Sequence, residues 1–247
     1  MREKNAAVRV WRSERRERAH FARSCVLCHE LVTRYIQTVN CRIGLSMAEE
    51  DKNNDLERVI LRMNKGHGYA GVFNSDNSDD KRIVEEFTIE EWRRSIKAEF
   101  GIEIDSVLPN PDDPPDFFVT IKGQRMTVEL VQLVEQEHKR RAAKNETPFA
   151  GRLFLEMQWS RDRFISKLND VIFEKREKYK KIGLEIDVLL IHTGEPWLRS
   201  TQAKEWIEDG TINKYPSIRS VFLLFDYEPS RCVDHWAVIC IYGKLTK

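Results

Sequence analysis

The sequence has almost no net charge: 41 Lys and Arg stand against 40 Asp and Glu over 247 residues, a formal balance of +1. Bulk electrostatics therefore do not mark the chain as a binder of polyanions, and any such binding has to come from local clusters. No stretch approaches the roughly 18 consecutive apolar residues of a membrane span. The Arg-rich start has no apolar run of the kind a secretory signal carries. The cysteines are few and odd in number, five, with none of the spacing of a disulfide framework. A reducing, cytoplasmic setting without membrane contact is the expectation. No internal repeat is visible. What remains is a chain one-third charged and 41% hydrophobic, enough apolar residues for a real core.

Composition divides the chain into three parts. Residues 1–46 form an Arg-rich extension in which Arg9, Arg12, Arg15, Arg16, Arg18 and Arg23 are interleaved with few core-forming residues until Val26. The shift at Met47 to an acidic, Asn-rich stretch suggests Met47 as the native start. Within the extension, Cys25-Val26-Leu27-Cys28-His29 has the spacing of a c-type haem attachment site. With Cys41 it offers zinc-type ligands, but no second pair follows, so it reads as coincidence. Residues 47–87 read as a polar linker, with His67 between two glycines as a solvated loop histidine. Residues 88–247 carry the periodic patterns of a folded domain.

In that domain Thr88 and Glu91 have capping-box spacing, which predicts a helix running to about Phe100 and stopping at Gly101. Ile89, Trp92, Ile96 and Phe100 form its apolar stripe, and Glu99 lies beside it. A long helix is expected from Leu155 or Trp159 to Lys181. Phe164, Ile165, Leu168, Val171, Ile172 and Tyr179 would share its buried face. Lys175 falls inside that face, where an ammonium needs a partner or must snorkel out. Ile186–His192 reads as a central strand, Gln202–Glu208 as a short helix, and Val221–Phe225 and Trp236–Tyr242 as further strands. His192 and His235 at strand ends read as structural. The fold class expected is α/β (α+β).

The densest signal is Pro115–Val131, which reads as a β-hairpin turning at Lys122-Gly123-Gln124. Asp116 opens the first arm and Glu129 sits late in the second, so antiparallel pairing brings the two carboxylates together. Met126, Val128 and Leu130 point one way, and Thr127, Glu129 and Val131 the other. A carboxylate among apolar strand positions is costly to bury unless paired or bound to metal, and two converging acids suit a hard cation such as Mg²⁺. Beyond the hairpin, Lys139, Arg140, Arg141 and Lys144 make a basic cluster able to contact phosphates, although a solvated charged face is the simpler reading.

Helix, Pro-Asp, hairpin acid, long helix and buried strand, in that order, resemble the PD-(D/E)xK nuclease superfamily over roughly residues 88–192. Pro115-Asp116 matches its first motif and Glu129 the acid of its second, while Val131 stands where that motif has lysine. The resemblance implies a restriction-endonuclease-like mixed central sheet flanked by helices. It implies Mg²⁺ or Mn²⁺ held by Asp116, Glu129 and the Leu130 carbonyl, with Lys175 replacing the strand lysine from the helix and Glu99 completing the site. The expected activity is hydrolysis of nucleic-acid phosphodiesters, DNA more than RNA, with Lys139, Arg140, Arg141 and Lys144 on the backbone. A homodimer is compatible with it. The alternative, which the missing strand lysine favours, is an inactive module of the same fold that binds nucleic acid or a protein partner.

Overall fold

A computed structural model describes residues 78–112, 114–144, 146 and 157–245. The N-terminal extension, with its cysteines and His29, and His67 lie outside the described residues. Those described belong to the second of two units of the chain, Leu61–Lys247.

The centre is a six-stranded mixed sheet whose spatial order follows the chain: β1 Ser106–Pro109, β2 Phe117–Ile121, β3 Gln124–Gln132, β4 Ile186–Thr193, β5 Ile218–Phe225 and β6 Val238–Tyr242. The strands β1, β2 and β3 pair antiparallel, β3–β4 and β4–β5 are parallel, and β6 returns antiparallel on β5. Parallel neighbours need crossovers. The first carries α2, Gln136–Ala143, and α3, Arg161–Lys181; the second carries α4, Ser200–Asp209. The expected α/β class is therefore the observed one.

Alternation along each strand feeds two cores. Val119, Met126, Val128, Val188, Leu190, Phe222 and Leu224 pack with Ile89, Trp92 and Ile96 of α1, Ser78–Phe100. Leu189, Ile191, Val221, Leu223 and Phe225 pack on the other face with Phe164, Leu168, Ile172 and Tyr179 of α3 and Ala203 of α4. The buried face of α3 is thus the one its periodicity predicts. Its N-cap is Ser160, whose hydroxyl accepts from the Arg163 N–H, and Gly183 at φ +68° follows its end.

Helix α1 begins ten residues before the capping box at Thr88. Thr88 is buried within the helix, and its hydroxyl donates to the Val84 carbonyl 2.8 Å away, one turn back. That back-bond satisfies the hydroxyl without a helix end. Glu91 is meanwhile taken by Arg94. The last part of the stretch read as linker is therefore helical.

Gly243 closes the sheet. It has φ +88°, and a Cβ there would sit 2.2 Å from the Arg219 carbonyl oxygen. Gly243→Ala is expected to cost more than about 2 kcal/mol, from strain and collision together. Chemical denaturation measures this, and an unchanged midpoint would contradict the close approach.

Candidate active site

The hairpin delivers the two acids to each other by register. Phe117 pairs with Val128, so Asp116, one step earlier, stands opposite Glu129, one step later. One Asp116 carboxylate oxygen accepts the Leu130 N–H at 2.6 Å. Glu129 lies beside Leu189 of β4, on the face covered by α3, and is 2% exposed. From α3 the Lys175 ammonium reaches down to it: Nζ is 2.6 Å from Glu129 Oε1 and 3.3 Å from the Leu130 carbonyl oxygen. The fold thus brings Asp116, Glu129, Leu130 and Lys175 together.

Val131, in the place of the family's strand lysine, is half-buried and packs into the core beneath α3. A lysine there would be driven into apolar side chains. The position of α3 explains how an ammonium can arrive from the helix instead.

The surroundings of Asp116 disturb its carboxyl group. Burial, reinforced by the Glu129 charge, pushes Asp116 up to about 7, against the pull of the Leu130 N–H and Lys175. Glu85 of α1 adds to the same effect. The second oxygen of Glu129, Oε2, is buried with no hydrogen-bond partner. A buried acceptor without a donor, beside a second carboxylate and a carbonyl oxygen, is a donor set that fits a hard cation, since Mg²⁺ binds through one or two carboxylates and keeps several waters. Among the described residues no group of three or more His, Cys, Asp or Glu side chains is placed to hold a metal. The fit therefore rests on two carboxylates and the carbonyl.

Glu99 does not join this cluster. Its carboxylate binds Arg231 and, at 3.0 Å, His235 Nε2. Burial works to raise it, but those two hydrogen bonds outweigh burial and hold it below the ordinary range. The acid of α1 near Asp116 is Glu85, ion-paired to Lys81 at 3.3 Å. The two glutamates are fourteen residues apart, about 21 Å along a helix. The polar composition of residues 47–87 conceals Glu85; carried back four residues from Ile89, the apolar stripe leads to it.

The basic cluster is partly committed elsewhere. Lys139 is half-buried, its ammonium depressed by burial, and it donates to Gln132 Oε1 at 3.0 Å. Arg141 pairs with Glu146 at 3.8 Å, while Arg140 and Lys144 are exposed. His192 binds Asp226 at 2.7 Å and stacks on Trp236. Comparison of the chain with protein-family models, curated proteins and solved structures finds no match.

Two stability effects follow. The folded-state pKa of Asp116 lies above its unfolded value, so its contribution is full below about pH 4 and is lost as pH rises through about 7. Asp116→Asn is expected to stabilise the fold at pH 8 by about 2 kcal/mol, with little gain at pH 4, read from denaturation midpoints at the two pH values. Lys175→Met strands the buried Glu129 and is expected to cost about 3 kcal/mol at pH 8. Restoration of most of that loss in the double variant with Glu129→Gln would confirm the pairing.

Proposed function

We propose that this chain is a metal-dependent nuclease of the PD-(D/E)xK type, hydrolysing phosphodiester bonds of nucleic acid. The observation that carries the reading is the Lys175 ammonium 2.6 Å from Glu129, with Asp116 opposite in register. Asp116, Glu129 and the Leu130 carbonyl would hold Mg²⁺ or Mn²⁺. A divalent ion bound there supplies a more acidic water and a polarised phosphate. Hydrolysis adds water across one P–O bond, with the departing sugar oxygen taking a proton.

The chain's own groups divide the remaining work. Lys175 would offset charge developing on the phosphoryl oxygens and orient the attacking water. Glu129 fixes that ammonium. The Leu130 N–H fixes the Asp116 carboxylate. Apolar packing under α3 keeps the sheet side of the site dry, which strengthens each of these interactions.

Asp116→Asn, Glu129→Gln and Lys175→Met are each expected to lower Mg²⁺-dependent cleavage by at least about 100-fold. The assay uses plasmid, single-stranded DNA and RNA substrates. Asp116→Asn is the cleanest of the three, because it removes activity while raising stability. Asp116 accepts a cation only when ionised, so wild-type metal affinity is expected to climb up to about pH 7 and then level off. Full cleavage by all three variants would overturn the reading. Binding of nucleic acid without cleavage by the wild type would leave the inactive module.

A further inference from the structure

Among the described residues, the face of the sheet that carries the acids is covered by α3 at β3 to β5 and carries exposed side chains at β1 and β2. Leu108 pairs with Phe118, Phe118 with Thr127, and Thr120 with Arg125. These residues therefore share a face with Asp116 and Glu129. The opposite face of the same strands is packed under α1 through Phe117, Val119 and Ile121. On the acid-bearing face Leu108 is 55% exposed. Phe118 is half-buried, and its ring is covered by the exposed Arg125 guanidinium, 3.8 Å from the centroid.

Helix α3 forms the wall of this trough. At about 100° per residue, Arg176 and Ile165 lie on one flank of Lys175, and Lys178 and Lys167 on the other, with Lys181 and Glu174 further round. Arg176 rests on Tyr215, just before β5, and Ile165 lies close against Gly210 after α4. That flank therefore looks toward β5. The Lys178 flank looks away from β5, toward the side of β3 on which β2 and β1 lie, and the Lys178 ammonium rests 3.5 Å from the Tyr179 hydroxyl. Lys178 and Lys181 are exposed.

A flat guanidinium-on-ring surface, beside a helix flank that carries three lysines and one glutamate and ending at the two acids, has the chemistry of a strand-binding track. Planar groups take bases, and cations follow the phosphates. Resting on the nuclease reading, we propose that the substrate strand lies in this trough single-stranded. One base stacks on the Phe118–Arg125 pair, and the backbone runs past Lys178 and Lys181 to Asp116. A paired base keeps its faces inside the duplex and cannot use that surface.

The test is fluorescence anisotropy of the full chain with EDTA present, at several salt concentrations. The probes are labelled single-stranded DNA, single-stranded RNA and a blunt duplex of the same sequence. Single strands of at least one sugar type are expected to bind at least tenfold more tightly than duplex. Phe118→Leu keeps an apolar side chain but removes the aromatic face, and is expected to weaken single-strand binding by about tenfold. Joint Lys178→Gln and Lys181→Gln replacement is expected to lower the salt dependence by about 1.4 in log–log slope. Lys180→Gln, on the outer face of α3, is expected to change neither.

Equal duplex affinity, an unchanged affinity for Phe118→Leu, or a loss equally large for Lys180→Gln would each overturn the track. The two proposals fail separately. Strand binding without Mg²⁺-dependent cleavage removes the nuclease and keeps the track. Cleavage that depends on Asp116 but ignores Phe118 does the reverse.

Discussion

The ion pair between Lys175 and Glu129 is the contact on which the site depends. It joins the longest crossover helix to the strand where the sheet changes from antiparallel to parallel pairing. As a stabilising device it is poor. Two apolar side chains of similar volume would serve the fold at least as well, because desolvation consumes most of the Coulombic gain. Asp187 makes the contrast. It accepts both the N–H and the hydroxyl of Thr127 and pairs with Arg219 at 2.7 Å, so its oxygens are satisfied within the fold. Glu129 is left with a bare oxygen and Asp116 with a reluctant charge. On the proposed reading, the bare Glu129 oxygen and the raised Asp116 are arranged for an incoming cation.

Helix α1 shows how one element can serve two places. Its middle is pinned by Trp92 and Ile96, fully buried against the sheet. Its early turns bring Glu85 toward Asp116, and its last turn hands Glu99 to Arg231 and His235. Both glutamates flank the same apolar stripe. Without the helix start, nothing in the local pattern distinguishes them.

That difference decides what could be read from residues alone. The hairpin was legible because strict alternation and a Gly-containing turn leave one register; Lys122 and Gly123 both adopt positive φ, as a tight antiparallel turn requires. Lys175 was legible because a charge inside a 3.6-residue apolar stripe has to be accounted for. Strand β1 was not: four residues, three of them exposed, carry no periodicity. Nor was the true start of α1, because Thr88 satisfies itself within the helix and so imitates a cap. Lys139 looked like part of a free basic surface, and only the fold brings Gln132 within its reach.

The two-residue turn between β2 and β3 also acts as a ruler. Ile121 pairs with Gln124 across it, and every later pairing is counted from that point. One added residue there would slide β3 by a single step against its neighbour. Side chains of a strand alternate, so Glu129 would be carried through the sheet into the aromatic layer beneath Trp92, and Asp116 would face an aliphatic residue. Such a chain could keep every chemically important residue and still lose the centre they compose, because the information lies in the parity of the loop.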